Sequence, residues 1–333
     1  MTVPINMVTG RSDTQAMGKT LMHEHVLIGF PGWFMDARQP SFKRKEAIER
    51  VVDAFQGLHQ HGVRTVVDPC PMDLGRDVEF MAEVSQKSGI NLICATGAYA
   101  ETMGISFTLG ALSVDQIVES YVKEIEEGVG ETGIRCGLIK IATGEGVVTD
   151  YERKVITAAA KAAQITGVPI LSHTERCTCG HDQIDIVSEA GLASSSLLVG
   201  HSCGTDDPPY QRSLAERGSY VGFDRFGAIL EIADDIRIRN LKGMLNHGYR
   251  DRVMVSHDTV NCWKGGVGAM TPAELHAAMP NWTITHLFEN IFPALESQGV
   301  PAHHLDEIVI DNPRRFFEDA WRTAKQRTSL AAA

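Results

Sequence analysis

Eight short apolar runs punctuate the chain, at residues 21–27, 65–68, 91–96, 137–142, 169–173, 196–201, 220–223 and 253–257. The stretches between them, such as 45–62, 113–127, 150–166 and 182–191, carry apolar residues at helical spacing, and several close on a glycine, as helix C-caps do. Such alternation predicts parallel strands joined by helical crossovers. Eight runs with spacings close to the roughly 30 residues of a strand–helix–strand unit predict an α/β fold, a (β/α)8 TIM barrel. One domain then accounts for residues 1–333, with the barrel core at about 20–325 and further helices over 282–295 and 312–325.

Composition agrees with one large soluble domain, since 43% of the 333 residues are hydrophobic and 22% are charged. The net charge of −11 repels a nucleic-acid backbone, and Lys43-Arg44-Lys45 is too short to offset it. No apolar run approaches the roughly 18 residues of a membrane helix, and no leader pattern stands at the start, so a cytoplasmic protein without membrane or nucleic-acid partners is expected. Seven cysteines, an odd and scattered set, read as free thiols. Cys177 and Cys179, with His181 nearby, are spaced more tightly than a structural zinc site and lack a second ligand pair, which favours packed thiols.

The chemistry gathers at the ends of the runs. His23-Glu24-His25 places two imidazoles at i and i+2, which face one way on a strand. The fourth run offers Lys140, the fifth His173, the sixth His201, and Asp258 follows the eighth. Any one of these histidines fits a hydrogen-bonded core residue as well as a ligand. Four of them at matching barrel positions point to a metal at the C-terminal mouth, where barrel enzymes work. Lys140, inside a nearly continuous apolar strand, faces a desolvation penalty and must be paired or modified. Glu24 is expected to face the helices and take no part in the chemistry.

In their order and identity, Leu21-Met22-His23-Glu24-His25, Gly137-Leu138-Ile139-Lys140, Leu171-Ser172-His173-Thr174-Glu175, Gly200-His201-Ser202 and Ser256-His257-Asp258 resemble the metal-site motifs of the phosphotriesterase branch of the amidohydrolase superfamily. Phe223-Asp224-Arg225-Phe226-Gly227 and Ala95-Thr96-Gly97-Ala98-Tyr99 resemble phosphotriesterase-like lactonases, and the whole is similar to quorum-quenching N-acyl-homoserine lactonases. The resemblance implies two divalent metal ions, zinc first with cobalt, manganese or iron as alternatives. It implies that His23, His25 and Asp258 hold the buried ion, that His173 and His201 hold the exposed one, and that Lys140 bridges them as N6-carboxylysine. A hydroxide shared by the ions would open the lactone, with Asp258 taking its proton and Tyr99 contacting the ring. Tyr99, Arg225, Phe226, Cys262 and Trp263 are placed at the substrate, although Arg225 is expected mainly to anchor its loop. The apolar, glycine-rich loops at 226–230 and 259–270 are expected to wall an acyl chain. A homodimer is implied, as is weak activity on phosphotriesters. Another lactone, a carboxylester or an organophosphate as main substrate is the alternative, and a non-catalytic binding barrel is least favoured.

Overall fold

Alternation along eight strands builds two cores at once, one inside the barrel and one between the barrel and its helices. The computed structural model describes residues 2–331 apart from 36, 38, 268 and 269. A hairpin of β1 (Pro4–Met7) and β2 (Gly10–Asp13) precedes the barrel strands β3 (Lys19–Leu21), β4 (Val63–Asp68), β5 (Asn91–Gly97), β6 (Leu138–Thr143), β7 (Ile170–Thr174), β8 (Leu197–Val199), β9 (Tyr220–Phe223) and β10 (Val253–Val255). All eight pair in parallel with their chain neighbours, in the order β3 to β10. This is the expected (β/α)8 architecture.

Inward residues Val67, Ile93, Ala95, Leu138, Leu171, Leu198 and Met254 form the interior core together with Ile5, Met7, Phe316 and Phe317. Their alternate neighbours Val66, Leu92, Cys94, Ile139, Ile170, Leu197 and Val199 pack outward against the helices. Two-residue periodicity therefore carries Lys140 and His173 inward, one step along from Leu138 and Leu171. The crossover helices start and stop where their ends are satisfied. Ser113 with Gln116 and Thr149 with Glu152 form capping boxes. Gly167 closes the second of these helices at φ 78°, a left-handed turn that favours glycine. No helix among the described residues is long and apolar enough to cross a membrane.

One expectation needs correction. The run 21–27 is not a strand: β3 stops at Leu21, the chain bends at Met22 and His23, and beyond it only single bridges form, His25 with Val260 and Ile28 with Trp263. Met22 packs in the interior core, so an unbroken strand would have turned His23 and His25 outward and Glu24 inward. The bend turns both imidazoles into the barrel mouth.

No ladder joins β3 to β10. The barrel closes instead beyond the strand ends, where Asp258 N donates to His23 O at 3.0 Å, His25 N to Thr259 O at 2.8 Å and Asn261 N to His25 O at 2.9 Å. His23 N donates to Ser256 Oγ at 3.0 Å across the same seam.

The barrel floor gives a stability test remote from this seam. Phe316 is fully buried against Tyr220, and Phe316→Ala is expected to cost about 3–5 kcal/mol in urea unfolding, the usual loss for a core phenylalanine.

Candidate metal centre

Each of the four candidate histidines hands one ring nitrogen to a carboxylate. His23 Nδ1 lies 2.8 Å from Asp224 Oδ2, His201 Nδ1 3.1 Å from Asp224 Oδ1, and His25 Nδ1 3.2 Å from Asp68 Oδ1. His173 Nε2 lies 3.1 Å from Glu175 Oε2. A carboxylate only accepts, so these nitrogens carry protons; in His23, His173 and His201, which burial holds below the ordinary histidine value, the opposite nitrogen is left with a lone pair. His23, His25 and His201 turn Nε2 toward Asp258, at 3.4 and 3.2 Å from Oδ1 and 3.8 Å from Oδ2. His173 keeps Nδ1, which accepts from the Tyr99 hydroxyl at 3.0 Å.

Lys140 stands among them, 1% exposed, its Nζ 3.2 Å from His23 Nε2. Burial pulls its pKa down to about 8, within reach of the neutral amine near physiological pH. Burial likewise lowers His173 to about 4 against the opposing pull of Glu175, and with Arg225 it holds His201 well below the ordinary histidine value. His25 differs. Burial opposes its proton, but hydrogen bonds to Asp258 and Asp68 outweigh that and raise its pKa well above the usual value. A cation taking that position would release a proton.

Convergent imidazole nitrogens, a carboxylate and a buried amine that can lose its proton suit divalent cations. His23, His201 and Asp258 form one compact ligand cluster, and His25, Asp68 and Cys70 form another. Cys177 and Cys179 belong to neither; Cys177 Sγ donates to His201 O at 3.0 Å, and His181 Nε2 pairs with Ser213 Oγ.

Above this floor lies a cavity of about 310 Å³ whose walls include Ile28, Phe30, Leu74, Val260, Trp263, Met279 and Trp282. Tyr99 and Arg225 also line it, and burial raises the Tyr99 pKa so that the phenol keeps its proton. Arg225 spans two acids, with Nε 3.0 Å from Asp258 Oδ2 and its terminal nitrogen on Glu231. Of the five residues expected at the substrate, two are misplaced. Phe226 is fully buried in the outer core, because the chain turning away from β9 packs the ring against the helices. Cys262 donates to Ala47 O and faces a neighbouring cavity bordered by Phe42, Ala47 and Arg50; among the described residues only Trp263 lines both that cavity and the site. Of the expected loop wall 259–270, Gly268 and Ala269 lie outside the described residues.

Comparison with known proteins now has a geometry to stand on. The sequence profile of the phosphotriesterase family matches residues 3–317. The chain belongs to that family. It is 34% identical over 310 residues to the aryldialkylphosphatase of Saccharolobus solfataricus, covering 92% of this chain and 96% of the relative. The organophosphorus hydrolase structure from Deinococcus radiodurans superposes with a TM-score of 0.89 at 33% identity, covering 94% of this chain and 96% of that one. A variant of the Deinococcus radiodurans PTE-like lactonase superposes with a TM-score of 0.88 at 33% identity, with 94% and 99% coverage. The phosphotriesterase-family protein is thus a hydrolase acting on ester bonds. Enzymes of the family use a binuclear metal site, and the candidate histidine and aspartate ligands stand together here.

Sequence reasoning missed the orienting carboxylates Asp68, Asp224 and Glu175. A signal existed: each ends or follows a strand run, Asp224 and Glu175 within motifs already singled out. Asp224 serves two imidazoles at once, so Asp224→Asn is expected to weaken metal binding by about 10- to 100-fold, the usual effect of losing such a partner. Chelator competition followed by metal analysis would measure it.

Proposed function

We propose that this phosphotriesterase-family hydrolase is a lactonase that opens N-acyl-L-homoserine lactones, with a side activity on phosphotriesters. The observation that carries the reading is the pairing of a compact polar floor with a largely apolar cavity, a shape suited to a small polar ring bearing an acyl chain. The lactonase named among the structural neighbours supports it.

On this reading His23, His25 and Asp258 would hold one divalent ion and His173 and His201 a second, and Lys140, carboxylated on its amine, would serve as a further ligand. Zinc is the first choice. Such ions, when bound, polarise the scissile carbonyl and acidify water. The chain's own residues do the rest. Asp258 would take a proton from the attacking water and return it to the departing ring alkoxide, its Oδ2 steadied by Arg225 Nε while Oδ1 faces His23 and His25. Tyr99, protonated and anchored through its backbone N–H on the Asp73 carboxylate at 3.0 Å, offers its hydroxyl to a substrate oxygen. Arg225, held by Asp258 and Glu231, fixes the rim, with Trp263 and Trp282 walling the cavity.

A second reading makes an organophosphate the main substrate, favoured by the Saccharolobus relative named for that activity. Measuring kcat/KM on acyl-homoserine lactones of several chain lengths and on paraoxon separates the two. The lactones are expected to lead by roughly 100-fold, about 2.7 kcal/mol of differential transition-state binding; absence of lactone hydrolysis would falsify the lactonase reading.

Lys140→Ala tests the metal centre separately. It is expected to lower both the metal bound per chain and the hydrolysis rate, whereas unchanged metal content and activity would remove Lys140 from the site.

A further inference from the structure

Glu24, fully buried between the two histidines of the first motif, directs none of its hydrogen bonds among the described residues at a candidate ligand side chain. Its carboxylate instead crosses the seam of the barrel and grips the segment that carries Asp258. Oε1 accepts from Ser256 Oγ at 2.9 Å, from His257 N at 2.9 Å and from His257 Nδ1 at 2.6 Å. Oε2 accepts from Thr259 N at 2.9 Å and from Thr259 Oγ1 at 2.5 Å.

The placement of those bonds gives them a purpose. They take the backbone N–H groups on both sides of Asp258, which itself sits at φ 56° in the left-handed region. That turn is what points the Asp258 carboxylate back at His23 and His25. The far side of His257 is equally committed: Nε2 accepts from Leu287 N at 2.9 Å, and its carbonyl accepts from the indole of Trp282 at 2.8 Å. Glu24 also sits in the backbone between His23 and His25, so one residue links both imidazoles, through the chain, to the opposing aspartate, through its side chain.

We propose that Glu24 is a positioning residue for the metal centre: it holds the strained turn at Asp258 in register with His23 and His25. The proposal rests on the assignment of those three residues as ligands. It replaces the expectation that Glu24 is a bystander facing the helices.

Cobalt(II) provides the probe, because its binding can be titrated and its visible absorption reports ligand geometry. Glu24→Gln keeps the size of the side chain and the Oε1 contacts but sets an amide NH2 against the Thr259 N–H. Asn312→Ala is the control for plain loss of stability. Asn312 is fully buried and bonds the Val253 carbonyl, at the opposite end of the strand that leads to Asp258. Both variants are expected to lower Tm. Only Glu24→Gln is expected to weaken cobalt(II) binding, by about 10- to 100-fold, and to alter the absorption bands.

Wild-type affinity and spectrum in Glu24→Gln would overturn the proposal, leaving Glu24 a structural residue. Should that variant not fold, Thr259→Val removes one bond to Oε2 and keeps the branched shape; a several-fold loss of affinity supports the proposal and an unchanged one overturns it. If the wild-type protein itself bound no cobalt(II), the ligand assignment would fall and the proposal with it, a result distinct from normal binding that Glu24→Gln leaves unaltered.

Discussion

Seven of the eight seams between barrel strands are closed by backbone ladders, whereas the eighth, between β3 and β10, is closed past the strand ends by loop hydrogen bonds and the Glu24 carboxylate. That seam lies where the candidate ligands are densest, since His23 and His25 stand on one side of it and Asp258 on the other. The contacts that close the barrel are therefore also the ones that bring the candidate ligands together. A ladder running on through residues 22–25 would have given a more regular barrel, but by strict alternation it would have turned both histidines away from the mouth. The bend at Met22 and His23 breaks the strand and supplies the site.

Two candidate ligands, His201 and Asp258, occupy left-handed backbone at φ 59° and 56°. Such conformations cost about 1–2 kcal/mol each for residues with a side chain, and they persist only where the surroundings over-determine them. Here carboxylates do so. Asp224 accepts from the His201 N–H at 2.8 Å as well as from its ring, and Glu24 accepts from the N–H groups flanking Asp258. The buried acids thus act twice, orienting imidazoles and holding strained backbone. Their own burial is made tolerable because almost every oxygen lone pair is used.

The eight barrel strands, most crossover helices and the positions of Lys140, His173 and His201 were legible because they follow from two periodicities and from the rule that barrel chemistry sits at C-terminal strand ends; the hairpin of β1 and β2 was not foreseen, and the helix expected over 282–295 forms only from His286 onward. The convergence of His23 and His25 was read for an inexact reason: the pair does meet, but through a bend that no alternation pattern announces. Glu24 was misread because its role depends on residues more than 230 positions away, and a sequence shows only that a charged residue lies in an apolar run. Asp224 was quoted within a motif yet given no role, since its partners, the rings of His23 and His201, lie in segments distant in sequence. Phe226 and Cys262 were placed at the cavity by loop membership, and loop membership does not say which way a side chain turns. Where the chain leaves regular secondary structure, direction is set by packing partners that pattern reasoning cannot supply.

The same division bears on specificity. The polar floor is built from strand ends held by at least one bond each to a neighbouring strand or acid, and its geometry leaves little room for adjustment. A lactone becomes tetrahedral at carbon during hydrolysis, and a phosphotriester is already tetrahedral at phosphorus, so a floor that stabilises charge on the reacting oxygens serves both. Discrimination must then arise in the walls. Those walls come from segments distant in sequence, Ile28 and Phe30 after β3, Leu74 after β4, and Val260, Trp263 and Trp282 after β10, and each apolar contact with a substrate chain contributes in proportion to the area it removes from water. Under the proposed function, changes at these wall positions alter the preference between an acyl lactone and a phosphotriester, while the four imidazoles, Lys140 and the acids behind them remain common to both reactions.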